Sequence, residues 1–193
     1  MGFISVLSFA QKQINERLQP GDIAVDATAG TGADTLFLAR ICGKRGKVFA
    51  FDIQQSALEQ TGARLQQADT PIAEVQLILG SHAEMQRFLP SEVIGKVNAI
   101  MFNLGYLPSQ EGDQSIITLT ESTLTALEAA LNILKPRGII TIVLYPGHAG
   151  GDQEAASVET WAASLPPSKG QAIMYKQIQR PTAPYLIAIE KKC

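Results

Sequence analysis

Short apolar runs alternate along the chain with segments whose apolar residues recur every three to four positions. The near-continuous runs predict buried strands, and the helical period predicts amphipathic helices. The expected strands cover residues 22–26, 47–52, 75–79, 97–102, 139–145, 171–178 and 184–190. The expected helices cover residues 3–18, 33–41, 54–67, 83–88, 116–134 and 153–164, with a turn at 135–138.

This alternation predicts an α/β fold in which strands buried on both faces form a parallel sheet between two layers of helices. The connection between the last two runs is too short for a helix, so those runs should pair as an antiparallel hairpin at one edge. We therefore expect a Rossmann-like, mostly parallel seven-stranded sheet with a C-terminal antiparallel hairpin. The length of 193 residues suits one domain spanning residues 1–193.

Composition narrows the classes of partner. The formal net charge of −2 argues against a broad electrostatic grip on a nucleic-acid duplex, but it allows recognition of one loop or one nucleotide. No apolar run approaches the roughly 20 residues that span a bilayer, so no membrane partner is expected. Cys42 and Cys193 predict neither a disulfide framework nor a metal site, and they favour a reducing cytoplasm. The 3–18 helix has an apolar face that either covers the sheet or pairs subunits into a homodimer.

A glycine-rich turn joins the first strand to its helix, with the sequence DATAGTGADT over residues 26–35. Gly30 and Gly32 allow a sharp turn and leave room for a ligand against the backbone, at the amino end of a helix. A dinucleotide fingerprint would place a third glycine where Thr35 stands. Asp26, at the strand end, would repel a pyrophosphate but suits a cation. S-adenosylmethionine, with its ammonium and sulfonium, is such a ligand.

Further candidate cofactor contacts follow the second and third strands. Asp52 stands 20 residues beyond Gly32, where an acid binds ribose hydroxyls, although it could instead cap the next helix. Ile53 would then pack on the adenine, and Ser81 would lie near its edge or cap a short helix with Glu84. The residues expected at the cofactor are Asp26, Ala27, Thr28, Ala29, Gly30, Gly32, Asp34, Thr35, Asp52, Ile53, Ser81, His82 and Asn103.

The fourth strand ends in the sequence NLGY, residues 103–106. These residues resemble a motif of methyltransferases that act on amino nitrogen, and the resemblance implies transfer of a methyl group to an amine. Such a transfer requires a neutral nitrogen whose hydrogens are held by acceptors, so that its lone pair faces the methyl. The Asn103 side-chain oxygen and the adjacent backbone carbonyl are such acceptors, and Tyr106 would stack on a planar base or wall off the pocket. His148 either accepts the released proton, contacts the substrate or is a plain loop residue.

The candidate site therefore has a catalytic group, a substrate-binding group and no metal. The catalytic candidates are Asn103, Tyr106 and His148. The substrate candidates are Leu104, Gly105, Tyr106, Ser115, Tyr145, His148 and Arg180, the last as a phosphate contact.

These motifs resemble known families. Residues 26–32 resemble motif I of class I methyltransferases, D/E-x-G-x-G-x-G, with Thr28 at the first glycine, and the C-terminal hairpin is typical of that class. Residues 103–106 resemble the N/D-P-P-Y/F motif of methyltransferases that act on amino nitrogen, with Leu-Gly in place of Pro-Pro. Together with residues 102–108 and 145–151, they resemble the small bacterial methyltransferases long labelled "putative rRNA methylase", over almost the whole chain.

The resemblance implies S-adenosylmethionine as cofactor and S-adenosylhomocysteine as product. It also implies methylation of the 5-aminomethyl group of wobble uridine 34 in tRNA, giving 5-methylaminomethyl-2-thiouridine. The anticodon loop would be the partner, since its bases are already single-stranded, and DNA would not be one. The chain departs from the family at Thr31, usually Asn, and at residues 113–118, DQSIIT in place of D-K-S-I-T-T.

Three other functions compete with this interpretation. A methyltransferase of the same fold could act on an rRNA base, a protein side chain or a small amine. A nicotinamide-dependent oxidoreductase is disfavoured by Thr35 and by the terminal hairpin. A non-catalytic binding module that keeps the cofactor pocket is disfavoured by the intact segment 103–106.

Overall fold

The computed structural model describes residues 2–105, 120–147 and 150–192. Within them, the strands are β1 (Ile23–Asp26), β2 (Lys47–Asp52), β3 (Glu74–Leu79), β4 (Val97–Asn103), β5 (Leu134–Leu144), β6 (Gly170–Tyr175) and β7 (Tyr185–Lys191). The α-helices are α1 (Val6–Asn15), α2 (Ala33–Cys42), α3 (Gln55–Gln66), α4 (Met85–Phe88), α5 (Thr120–Ile133) and α6 (Gly151–Ser164).

The strands form one sheet in the order β3-β2-β1-β4-β5-β7-β6. Strands β1 to β5 run parallel, and β7 pairs antiparallel with both β5 and β6. The predicted mostly parallel sheet with a C-terminal antiparallel hairpin is therefore confirmed. The strand order reverses between β1 and β4, and at such a switch point the loops diverge and leave a crevice for ligands.

Apolar side chains cover both faces of the central strands. On one face Phe49, Phe102 and Ile140 belong to the cluster that packs with α5 and α6. On the other face Val48 and Met101 belong to the cluster that packs with α1 and α2. Burial on both faces explains why these strands are continuous apolar runs and not alternating ones.

Helix α1 is shorter than the predicted 3–18 helix. It begins at Val6 because Ser5 adopts an extended conformation and its hydroxyl accepts the Ser8 N–H. Ala10 and Ile14 are buried against the sheet, where α1 contacts β5 and β7. The sequence left open whether the apolar face of this helix covers the sheet or pairs subunits. In the structure it covers the sheet.

Strand β5 begins earlier than predicted and contains the expected turn. Val97 pairs with Leu134 and Ala99 with Ile139, so residues 135–138 bulge out of the ladder. Arg137 in this bulge has a φ of 64°. The first four residues of the predicted 116–134 helix lie outside the described part of the chain, and α5 ends at Ile133.

Lys191 connects the hairpin to the end of α5, and we expect Lys191→Met to destabilise the fold. Its Nζ donates to the carbonyls of Leu131 and Leu134, both at 2.7 Å. A charged donor shared by a carbonyl in the last turn of α5 and the first carbonyl of β5 is worth about 2 kcal/mol. Thermal unfolding should therefore shift down by several degrees, whereas Lys192→Met, at an exposed ion pair with Glu190, should change little. Equal shifts for the two variants would contradict this role.

Candidate active site

The ends of several strands bring the predicted site residues to one edge of the sheet. Because β1, β2, β4 and β5 are parallel, Asp26, Asp52 and Asn103 all lie at their carboxyl ends. The β6–β7 connection reaches the same edge, because Tyr185 pairs with Leu144. Arg180 is exposed in that connection.

The glycine turn after β1 is built as the sequence indicated. Gly30 and Gly32 have φ values of 53° and 77°, which favour glycine. A Cβ on Gly32 would lie 2.7 Å from Thr61 Cα, so this glycine also permits close packing of the α2 start against α3. The Gly30 N–H donates to Asp52 Oδ2 at 2.9 Å, which links the turn to the end of β2.

Asp26 lies beneath this turn and is only 1% exposed. Its Oδ1 accepts the Thr28 N–H at 3.1 Å, and its Oδ2 accepts the Thr35 hydroxyl at 2.6 Å. Burial, and then the charge of Asp34, raise the pKa of Asp26 to about 7. The carboxyl group therefore organises the turn, and its predicted contact with a ligand ammonium stays a prediction.

A residue that the sequence did not single out supports the same turn. Gln11 Nε2, on α1, donates to Asp34 Oδ1 at 3.1 Å. Burial raises the pKa of Asp34, and the hydrogen bond from Gln11 opposes that shift. The two residues are 23 positions apart on different helices, so no local pattern signals the contact.

The burial of Asp26 predicts a pH-dependent stability. An acid whose pKa is higher in the folded state binds more protons there, so the folded state loses stability as pH rises from the usual 3.8 to about 7. The loss cannot exceed about 1.4 kcal/mol per pH unit. We expect Asp26→Asn to gain stability relative to the wild type over this interval and to keep a constant difference above it. Unfolding measured from pH 5 to 9 tests this, and a difference independent of pH would refute it.

Of the two roles that the sequence left open for Asp52, the structure shows the one at the start of the next helix, and ribose binding stays a prediction. The Asp52 Oδ1 accepts the Gln54 N–H at 2.9 Å, before the first turn of α3, and its Oδ2 accepts the Gly30 N–H. The next side chain, Ile53, is 55% exposed. An exposed apolar side chain next to a carboxylate suits a ligand with an aromatic base and a ribose.

Ser81 and His82 follow β3. The Ser81 hydroxyl accepts the Ala83 N–H at 3.2 Å, so it caps the short helical turn, while Glu84 pairs with Arg87 and does not complete a capping box. His82 is buried, its Nδ1 lies 3.3 Å from the Ala27 carbonyl, and its ring meets Phe102 edge-on. Burial lowers its pKa, so the neutral ring donates its Nδ1–H to that carbonyl. Their contacts with a cofactor remain predictions.

Asn103 is fixed at the end of β4. Its backbone N–H donates to the Thr28 hydroxyl at 2.8 Å. Its side-chain Oδ1 is buried and has no hydrogen-bond partner within residues 2–105, 120–147 and 150–192. A buried acceptor left unpaired costs about 1–3 kcal/mol, and such atoms in a crevice are candidates for binding a ligand donor.

The two residues after Asn103 pack against the end of β5 and the residue that follows it. Leu104 is buried and its N–H donates to the Val143 carbonyl at 2.9 Å. Gly105 lies against the Tyr145 ring, where an added Cβ would be 3.5 Å from Cδ2. The structure therefore brings Asn103, Leu104, Gly105 and Tyr145 together. Tyr106, Ser115 and His148 lie outside the described residues.

Two other kinds of feature are absent from the described ranges. They contain no group of three or more His, Cys, Asp or Glu side chains that could hold a metal ion. They also contain no helix that is both long enough and apolar enough to cross a membrane.

A Rossmann-like sheet with a terminal antiparallel hairpin and an acidic glycine turn at the switch point defines a class I methyltransferase fold. The chain belongs to the family described as "Putative rRNA methylase", whose model matches residues 48–190. This confirms the resemblance drawn from the motifs.

Solved structures agree with this assignment. A structure described as a "putative rRNA-methylase" from Clostridium thermocellum has a TM-score of 0.90 and 36% identity, covering 99% of this chain and 100% of that one. A structure described as a "putative methyltransferase" from Streptococcus mutans, in complex with SAH, has a TM-score of 0.84 and 32% identity, covering 98% of this chain and 99% of that one. The SAH held by that neighbour supports S-adenosylmethionine as the cofactor.

A plant relative has a named substrate. The chain is 40% identical over 184 residues to the "tRNA (mnm(5)s(2)U34)-methyltransferase, chloroplastic" of Arabidopsis thaliana. The match covers 91% of this chain and 65% of that protein, so the chain spans less than two thirds of its relative.

Proposed function

We propose that this protein is an S-adenosylmethionine-dependent N-methyltransferase that methylates the 5-aminomethyl group of wobble uridine 34 in tRNA. The buried, unpaired Oδ1 of Asn103 carries the proposal, because it is an acceptor positioned at the switch point of the sheet. The Arabidopsis relative is named for a methylaminomethyl uridine at position 34 of tRNA, and this name supports an amine as the methyl acceptor.

The residues at this edge fit the cofactor. Asp26, Asp34 and Asp52 surround the glycine turn with carboxyl groups, which favour a cationic ligand and disfavour a pyrophosphate. Asp52 and the exposed Ile53 would hold the ribose and the adenine. When bound, S-adenosylmethionine supplies an activated methyl group. The same acidic surroundings weigh against the nicotinamide oxidoreductase.

The chain's own contribution to catalysis is positioning. Asn103 would accept an N–H from a neutral primary amine and so hold the nitrogen lone pair in a fixed direction. The buried position of Oδ1 keeps competing water away from that hydrogen bond. One proton must leave the nitrogen during the reaction, and we assign its removal to His148 or to solvent.

We also propose the partner of the protein and its cellular compartment. The anticodon loop of tRNA would reach this edge, with exposed Arg180 available to a phosphate. We take residues 1–193 as one methyltransferase domain in a reducing cytoplasm, which agrees with the free, buried Cys42. Pairing of two copies into a homodimer stays a prediction.

The decisive experiment is methyl transfer from labelled S-adenosylmethionine to tRNA carrying 5-aminomethyl-2-thiouridine, followed by mass analysis of the nucleosides. We expect one methyl group on that nucleoside and none on tRNA lacking the aminomethyl group. Cofactor binding without transfer would refute the tRNA substrate and favour an rRNA or small-amine acceptor. If the protein neither binds the cofactor nor transfers a methyl group, the methyltransferase proposal is refuted, and the nicotinamide enzyme returns to consideration.

A further inference from the structure

The hydrogen-bond ladder between β1 and β4 changes character at its last step. The Ala27 N–H donates to the Met101 carbonyl at 2.8 Å, as a parallel ladder requires. The next regular bond would run from the Asn103 N–H to the Ala27 carbonyl. Instead, the Asn103 N–H donates to the Thr28 hydroxyl at 2.8 Å, and His82 Nδ1 lies 3.3 Å from the Ala27 carbonyl.

Two side chains therefore replace one backbone bond at the place where the strands diverge. The following residue, Ala29, has already turned toward β2, since its N–H donates to the Phe51 carbonyl at 2.8 Å. Without the Thr28 hydroxyl, the Asn103 N–H would lose its partner at the point where the chain leaves the sheet. Without His82, the Ala27 carbonyl would be buried and unpaired.

Thr28 is tied to the cofactor side of the crevice as well. Its own N–H donates to Asp26 Oδ1 at 3.1 Å, below the glycine turn. One residue thus binds the carboxyl group that organises the turn and the backbone of the residue whose Oδ1 is the candidate amine acceptor. Thr28 stands where the motif of the class has its first glycine, and a glycine has no side chain to make the second contact.

We propose that Thr28 is a positioning residue for methyl transfer, whose hydroxyl holds Asn103 at a fixed distance from the cofactor turn. The inference rests on the proposed function, and it adds a residue that acts through Asn103. A methyl transfer is sensitive to the separation of donor and acceptor, and a misplacement of about 1 Å can cost about 100-fold in rate.

The variants differ in whether they keep the Thr28 hydroxyl. Thr28→Val preserves the branched shape without the acceptor, Thr28→Ala removes the hydroxyl without adding bulk, and Thr28→Ser retains it. Thr160→Val is the matched control, because the Thr160 hydroxyl donates to the Ala156 carbonyl within α6 at 2.8 Å.

The first readout is amide hydrogen exchange of Asn103 in the ligand-free protein, measured by NMR. We expect exchange to accelerate about tenfold or more in Thr28→Val and Thr28→Ala, which is the loss of one hydrogen bond. Thr28→Ser and Thr160→Val should retain the wild-type rate. Unchanged exchange in both hydroxyl-free variants, or fast exchange in Thr28→Ser, would overturn the assigned contact.

The second readout separates positioning from a general loss of structure. We expect kcat on the aminomethylated tRNA to fall about 10- to 100-fold in the hydroxyl-free variants, and S-adenosylhomocysteine affinity to fall by a smaller factor than kcat does. Thr28→Ser should restore kcat. Wild-type kcat in Thr28→Val would refute the positioning role. If the wild-type protein itself transfers no methyl group, the proposed function fails, whereas the exchange data still decide the Thr28–Asn103 contact.

Discussion

Replacing Asn103 by alanine should reduce kcat by about 100-fold or more and leave cofactor affinity within about twofold of wild type. The backbone N–H remains available to Thr28, so the end of β4 should stay in place. Only the buried Oδ1 is lost, and this atom has no other partner within the described residues. An interaction made mainly with the reacting amine should lower turnover more than it lowers cofactor affinity.

Two further variants make this prediction specific. Asn103→Asp keeps an acceptor oxygen and should retain more activity than Asn103→Ala. Asn98→Ala is a matched control on the opposite end of β4, where the Asn98 Oδ1 accepts the Ile23 N–H at 3.3 Å. That change should lower stability by about 1–3 kcal/mol and spare kcat in the folded fraction. Full activity of Asn103→Ala, by single-turnover transfer assay, would remove Asn103 from the acceptor site.

The central strands were predictable because each is a mostly apolar run. Strand β2 was predicted with the observed bounds, and β4 within one residue. A parallel strand buried on both faces is apolar at most of its positions, and this local property is visible in the sequence. Helix α1 was predicted too long because apolar residues near its start are exposed: Phe3 is 98% exposed and precedes the Ser5 cap.

The carboxyl-terminal edge was predictable for the same reason, but its internal contacts were not. Strand ends fixed the relative places of Asp26, Asp52 and Asn103. The bonds between Thr28 and Asn103, and between His82 and the Ala27 carbonyl, join residues 75 and 55 positions apart. They depend on where β1 and β4 diverge, and no periodicity in either segment reveals that point.

A buried polar pair behind the site was missed for the same reason. The Thr123 hydroxyl, in the first turns of α5, donates to Glu154 Oε1 of α6 at 2.6 Å, and both side chains are buried. A threonine and a glutamate in predicted amphipathic helices suggest solvent exposure. Only the packing of the two helix starts against each other shows that the carboxyl group is inside, where it must be hydrogen-bonded.

Replacing Asp52 by alanine should weaken S-adenosylhomocysteine binding by about 100-fold. The loss removes a carboxylate expected to accept two ribose hydroxyls, and hydrogen bonds to charged groups are worth about 1.5–3 kcal/mol each. Isothermal calorimetry on the ligand-free protein measures this directly. Asp69→Ala is the control, because Asp69 is an exposed partner of Arg40 outside the site and should leave affinity unchanged.

The two structural bonds of Asp52 require a sharper test, since it also accepts the N–H groups of Gly30 and Gln54. Its loss could weaken binding simply by loosening the glycine turn. A thermodynamic cycle separates the two causes, with S-adenosylhomocysteine and its 2′,3′-dideoxy analogue measured on wild type and Asp52→Ala. If Asp52 binds the ribose, the variant should lose far less affinity for the dideoxy analogue than for the parent ligand. Equal losses for both ligands would assign Asp52 to the turn alone, since an indirect effect cannot distinguish a ligand that has ribose hydroxyls from one that lacks them.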